Sequence, residues 1–395
     1  MGIPVGNTHG SVVARSEAEH AREVAHTPSE TCDHGGAFFE AIGEDFATLQ
    51  RRNHIIPADV LDAWFPPAPA VVRTLRAHLD WIVRTSPPTN GHGLVRALSD
   101  ARGVPEDSLV VGGGSSDLIF LALTRWLDRG SRVLLLDPTY GEYAHVLEHV
   151  IGCRVDRFTL RRDQGYRINV AELELALRRA YDLVVLVNPN SPTGQHVSAR
   201  PLAELIARAP ARTRIWIDET YVEYAGQGQS LEQLAAVSER LVVCKSMSKM
   251  YALSGVRVAY LVTEPGTARS LRRFTPPWAV GLPGQIAAVR ALESEAYYRR
   301  RWSETHRLRH ELECGLEAIG GLDVVPGVAN FVLVHLAPQR PAARTVVKRC
   351  RAHGLFLRDA GGMSPSLGDR ALRIAVRDPA TNERMLEILR LVLGA

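Results

Sequence analysis

Arg240-Leu241-Val242-Val243-Cys244-Lys245-Ser246-Met247-Ser248-Lys249-Met250-Tyr251-Ala252-Leu253-Ser254-Gly255-Val256-Arg257 is the stretch on which the reading of this chain turns. Its apolar opening, Arg240 to Cys244, has the composition of a buried strand. Lys249 then falls in a loop just past the end of a core strand, the region where open α/β sheets bind their ligands. The chain has three lysines, Lys245, Lys249 and Lys348, so 44 of its 47 basic residues are arginines. A guanidinium stays protonated and cannot condense with a carbonyl; a lysine amine can, once desolvation or a nearby cation activates it. Arg257, eight residues on, is placed to supply such a charge or to bind a phosphate.

Working outward, 395 residues are enough for two domains and a large core. A hydrophobic content of 46% and a charged content of 23% are ordinary for a globular protein. The net charge of +4 is small for this length, and no dense basic run with interleaved aromatics suggests nucleic acid. Five scattered cysteines, Cys32, Cys153, Cys244, Cys314 and Cys350, include no C-x-x-C pair. They argue for reduced thiols in a cytoplasmic protein, and neither a disulfide framework nor a metal site is expected. No apolar run is long enough to span a bilayer, and no signal peptide is evident.

Residues 1–36 are polar and aperiodic, and read as a mobile arm. Phe38, Phe39, Ile42, Phe46 and Leu49 recur at helical spacing, so a helix is expected to end near Arg51-Arg52. The proline-dense run Val60-Leu61-Asp62-Ala63-Trp64-Phe65-Pro66-Pro67-Ala68-Pro69 is expected to be extended, with helix from Val71 to Arg84 and a loop from Thr85 to Gly93. Leu109-Val110-Val111 then runs through Gly112-Gly113-Gly114-Ser115-Ser116-Asp117 into an apolar helix. This is either an ordinary capped glycine turn or a phosphate cradle at a helix start.

Three further core strands each end in a candidate group. Arg132 to Leu136 leads to Tyr140, whose ring is placed to stack on a planar ligand. Leu183 to Val187, wholly apolar, suits a parallel sheet buried on both faces and ends in Asn188-Pro189-Asn190-Ser191-Pro192-Thr193-Gly194. Arg214 to Ile217 leads into Asp218-Glu219-Thr220-Tyr221, and an acid at such a buried end needs a partner to stay ionised. Downstream, Arg257 to Val262 reads as a returning strand and Pro283 to Ile319 as a long helix. Val324 to Val334 reads as turn then strand. Arg358, Arg373 and Arg377 lie in the last apolar stretches, and arginine suits bidentate carboxylate binding.

Taken together and in this order, these motifs resemble the fold-type I pyridoxal phosphate (PLP) enzymes, and among them the class I/II aminotransferases of the histidinol-phosphate aminotransferase type. The resemblance covers roughly residues 55–395. It implies an α/β chain: a mostly parallel, doubly wound sheet in a large domain at 61–275, a smaller α/β domain at 276–395, and an N-terminal segment at 37–60 joining the latter. It implies a homodimer acting on a small-molecule amino-acid substrate. By the same resemblance Lys249 holds PLP and acts as base. Gly114, Ser115, Ser116, Ser246, Ser248 and Arg257 hold its phosphate end, and Tyr140 stacks on its ring. Asn188 and Tyr221 contact the ring hydroxyl, and Asp218 pairs with the ring nitrogen. Arg373 grips the substrate carboxylate, and Arg358 and Asn330 lie on the substrate side.

Three departures from the family pattern stand out. Trp64-Phe65 replaces small polar residues, Thr85-Ser86 replaces a Tyr-Pro, and Arg377 replaces a glycine. They motivate an alternative to transamination: β- or γ-elimination or replacement, with S-adenosylmethionine as one candidate substrate. A phosphate- or phosphonate-bearing amine is a further variant. A DNA-binding regulator of the same cofactor class is disfavoured, since no DNA-binding domain precedes the motifs.

Overall fold

A computed structural model describes residues 35–394. The mobile arm expected at 1–36 therefore lies outside the described residues except for Gly35 and Gly36. The apolar runs become strands: β1 (Ile56–Pro57), β2 (Leu109–Gly112), β3 (Arg132–Asp137), β4 (Arg154–Thr159), β5 (Leu183–Val187), β6 (Arg214–Asp218), β7 (Leu241–Ser246) and β8 (Ala259–Val262). The C-terminal part adds β9 (Leu322–Val325), β10 (Phe331–Leu336), β11 (Leu355–Phe356), β12 (Arg358–Asp359) and β13 (Ala371–Ala375).

A seven-stranded sheet has the order β2-β8-β7-β6-β5-β3-β4, in which β8 alone runs antiparallel to its neighbours. All five residues of β5 are buried. Its alternate side chains feed two cores, Val184 and Leu186 on one face and Leu183, Val185 and Val187 on the other. Helices cover both faces, so the sheet is doubly wound and all its parallel strands end at one edge. A second, antiparallel sheet has the order β12-β13-β10-β9. The short β1 pairs in parallel with β11, which ties residues 56–57 to the C-terminal part of the chain.

Several local expectations are corrected. Lys249 sits not in a loop but in a single helical turn, Met247–Met250, started by the Ser246 hydroxyl accepting from Ser248 N. The helix expected over 37–52 is two pieces, Phe38–Ile42 and a 3₁₀ segment Leu49–His54, because Gly43 leaves the helical region at φ 104°. The 71–84 helix starts at Pro69, where a first-turn proline needs no N–H partner, and breaks at His78. The long helix divides into Leu282–Leu292 and Glu295–Glu317 around Ser294, whose φ/ψ of −104°/32° is not helical.

Candidate active site

The carboxyl ends of β3, β5, β6 and β7 converge on a cavity of about 120 Å³. Its walls include Ser115, Ser116, Tyr140, Asp218, Tyr221, Ser246, Ser248, Lys249 and Arg257, with Val187, Ser191 and Thr220 completing it. Residues more than 140 positions apart in sequence therefore share one small space, because each terminates or follows a strand of the same sheet.

Gly114 opens one side. Its φ is 107°, where side chains are strained, and a Cβ there would run into the Arg257 guanidinium. Helix Ser115–Trp126 begins directly after it, with its free N–H groups at the cavity wall. Arg257, itself at φ 54°, donates to the Ser254 carbonyl at 3.0 Å and lies 3.5 Å from Ser248 Oγ, which accepts from Ser246 Oγ at 2.9 Å. A bare glycine, a helix start, the four hydroxyls of Ser115, Ser116, Ser246 and Ser248 and a guanidinium form a cradle whose charge and donors complement a phosphate.

Asp218, the last residue of β6, lines the same cavity. Burial pushes its carboxyl above the usual range, and hydrogen bonds from Thr220 and Tyr143 pull the other way. Tyr143 Oη donates to Asp218 Oδ2 at 2.8 Å and accepts from Trp216 Nε1 at 2.8 Å, a relay that fixes the carboxylate. Among the described residues no cation forms a salt bridge with Asp218, and a protonated ring nitrogen supplies what such a buried acid lacks. Burial pushes the Tyr140 hydroxyl well up, with the neighbouring Glu142 adding to it, and burial likewise raises Tyr221. Both stay neutral phenols at the cavity wall. The donor set fits PLP at both ends.

Arg373 and Arg358 are cross-strand neighbours on β13 and β12, so their side chains rise from the same face. Arg373 donates to Ser191 Oγ at 3.2 Å, at the cavity rim, and to the Asp59 carbonyl at 3.0 Å, while its Nε has no partner. Burial, with the Arg358 charge assisting, lowers its guanidinium to about 10. Neither arginine lines the cavity itself.

Two expected positions fall elsewhere. The Asn188 side chain turns away from the cavity and closes a two-way bridge with the Val197 backbone, at 2.8 Å in each direction. Ser191, three residues on in the same turn, lines the cavity in its place. Asn330 is fully buried and donates to the Leu61 carbonyl at 2.9 Å, outside the cavity wall. Trp64 and Phe65, one of the departures from the family pattern, do not line this cavity. Phe65 is buried beside Tyr298, and Trp64 donates to Thr305 Oγ1 at 2.8 Å. Three site residues escaped the sequence reading. Tyr143 follows Tyr140 by three residues on one helical turn, a spacing that signals a shared face. Ser191 lies within a turn already singled out. Asp62, whose Oδ1 is 2.8 Å from Lys249 Nζ, has no local signal at all.

This sheet and this cradle define a PLP enzyme of fold type I. The chain belongs to the aminotransferase class I and II family, whose model matches residues 65–389. It is 30% identical to histidinol-phosphate aminotransferase 1 of Cupriavidus pinatubonensis over 77% of this chain and 79% of that one. It is 30% identical to the threonine-phosphate decarboxylase of Salmonella typhimurium over 82% of this chain and 87% of that one. Among solved structures, the histidinol-phosphate aminotransferase of Sinorhizobium meliloti, in complex with pyridoxal-5'-phosphate, superposes with a TM-score of 0.80 at 22% identity. The match covers 95% of this chain and 99% of that one. The protein is thus an enzyme whose cofactor is PLP, with the fold and aminotransferase chemistry of its family.

Proposed function

We propose that the protein transaminates a small primary amine that bears a phosphate or a second carboxylate. Lys249 is the cofactor lysine and the base. PLP, when bound, supplies a carbonyl that condenses with amines and a ring that withdraws electrons from the substrate α-carbon. Asp218 would hold the ring-nitrogen proton, Tyr140 would cover the ring and Tyr221 would contact its hydroxyl. Gly114, Ser115, Ser116, Ser246, Ser248 and Arg257 cradle the phosphate. Lys249 moves the α-carbon proton, and Arg373 orients the substrate through an anionic group. The observation that carries the substrate reading is the pair of cross-strand arginines, Arg373 and Arg358, one of them reaching the cavity rim through Ser191. One guanidinium suffices for one carboxylate, and two neighbouring guanidinia suit a substrate with two anionic groups or one dianion. The names of the relatives, histidinol-phosphate aminotransferase and threonine-phosphate decarboxylase, point the same way.

The second relative favours one alternative, decarboxylation of a phosphate-bearing amino acid. The packing of Trp64 and Phe65 against the Glu295–Glu317 helix removes one of the three departures that motivated elimination or replacement on S-adenosylmethionine. The test incubates the PLP-loaded protein with histidinol phosphate or threonine phosphate and 2-oxoglutarate, and measures glutamate and carbon dioxide. Glutamate formation supports the proposal; carbon dioxide without glutamate selects the decarboxylase. Turnover of plain amino acids with neither phosphate substrate accepted would sink the second-anion reading.

The domain division at 61–275 and 276–395 is part of this proposal, and the pairing of β1 with β11 supports assigning 37–60 to the smaller domain. A homodimer is supported by exposed apolar residues on the helix Leu79–Arg84 (Leu79, Trp81, Val83) and near the 275 boundary (Phe274, Trp278). No described helix is long and apolar enough to cross a membrane, and the described cysteines are all free. The free cysteines support a reducing, cytoplasmic location.

A further inference from the structure

The segment Pro57–Asp62 forms a strap whose carbonyls are held one after another by side chains from the C-terminal part of the chain. Arg377 donates to the carbonyls of Pro57 and Asp62, Arg373 to that of Asp59 and Asn330 to that of Leu61. Beyond the strap, Trp64 and Phe65 are fixed against the Glu295–Glu317 helix. With the backbone immobilised on both sides, the Asp62 side chain projects toward the cavity and places Oδ1 2.8 Å from Lys249 Nζ.

We propose that Asp62 is the counter-ion of the Lys249 nitrogen and the residue that positions it. The strap presents the carboxylate. The carboxylate draws the protonated nitrogen to the mouth of the cavity and balances the charge that appears there when Lys249 takes a proton from the substrate carbon. The inference rests on the reading of Lys249 as the cofactor lysine.

The surrounding charges agree with it. Burial works against ionisation of Asp62, yet its carboxyl lies below the usual range. The Lys249 charge and hydrogen bond, the Ser254 hydroxyl and the Arg377 charge together outweigh the burial. The other charged or titratable groups around the site are Tyr140 after β3 with Glu142 beside it, Asp218 at the end of β6 and Tyr221 just beyond, Arg257 after the lysine turn, Arg373 on β13, Arg377 just after it and Asp59 on the strap. Of these, Asp218 is held by Tyr143 and Thr220, and Asp59 Oδ2 accepts from the backbone of Gly36 and Ala37. Among the described residues, Asp62 is therefore the one carboxylate paired with the amine.

The test compares PLP-loaded wild-type protein with Asp62→Asn and Asp62→Glu. The pH dependence of the visible absorption reports protonation of the nitrogen that Lys249 contributes. An adjacent anion favours the protonated form, so its removal lowers the midpoint. We expect Asp62→Asn to titrate roughly one pH unit or more below wild type, and Asp62→Glu to recover most of that shift. In turnover, Asp62→Asn lowers kcat roughly tenfold while KM stays within about twofold, the pattern of a group needed after binding. Coincident titrations of wild type and Asp62→Asn, with PLP retained on Lys249 after borohydride reduction, overturn the Asp62 inference alone. A wild-type protein that retains no PLP on Lys249 overturns both the inference and the reading beneath it.

Discussion

At the scale of single residues, the proposed cofactor site is tested most directly at Gly114 and Lys249. A methyl on Gly114 meets both an unfavourable φ of 107° and the Arg257 guanidinium. Backbone strain of this kind costs about 1–3 kcal/mol, and the methyl also displaces the Arg257 guanidinium, so Gly114→Ala is expected to weaken PLP binding roughly 5- to 150-fold, as read by equilibrium dialysis. Lys249→Ala removes the amine, and borohydride reduction followed by mass spectrometry is expected to find no PLP on the chain. Label on Lys245 or Lys348 instead would refute the assignment. At this scale most of the site was legible, because residues that end strands carry their own chemistry: an acid, a lysine, a glycine turn. Asn188 and Asp62 were not. Whether a turn residue faces the cavity or bridges to Val197 depends on the turn's conformation. The approach of Asp62 to a lysine 187 residues away depends on packing alone.

Among the elements, β10 brings a buried histidine into the core. His335 is 2% exposed and its Nε2 lies 2.8 Å from Tyr166 Oη, with the two rings stacked. Burial, with the Arg162 charge assisting, lowers its pKa to about 4, from 6.5 for the free imidazole. Above pH 6.5 the folded and unfolded chains carry the same neutral ring. Between pH 6.5 and about 4 the unfolded chain takes up a proton that the folded one refuses, so stability falls by up to about 3 kcal/mol from this residue alone. His335→Gln is expected to narrow the difference between urea-unfolding free energies measured at pH 7 and pH 4.5. An unchanged difference would show that His335 titrates normally. The strands around it were legible as strands because sheets buried on both faces demand unbroken apolar runs. The helices were legible in kind but not in length. The break at His78 has no glycine or proline to announce it, and Ser294 is an ordinary helix surface residue in composition.

For the whole molecule, the exposed tryptophans make the testable statement. Trp81 and Trp278 are 48% and 52% exposed, and the Trp278 amide is tied to the Thr89 carbonyl at 3.4 Å. Large aromatic surface in such patches marks association sites. Wild-type protein is expected to sediment as a dimer and the Trp81→Arg/Trp278→Arg variant as a monomer of unchanged circular dichroism. A monomeric wild type would contradict the proposed assembly. A mostly parallel, doubly wound sheet was implied by the resemblance, whereas the closing of residues 57–62 against the last strands was not, since no local pattern encodes a contact across 320 positions.

That clasp has a consequence for how the protein is born. The strap leaves the ribosome early, but Arg373 and Arg377, which seize its carbonyls, follow more than 300 residues later. At about 5–20 residues per second, translation needs roughly 15–60 s to bridge that gap. The last strand of the seven-stranded sheet, β8, ends at Val262, so late in that interval the sheet has all its strands while the carbonyls of Pro57, Asp59 and Asp62 still lack the arginines that hold them. The nascent chain therefore closes this clasp late, and the full set of charges around Lys249 exists only once Arg377, two residues beyond β13, has been made.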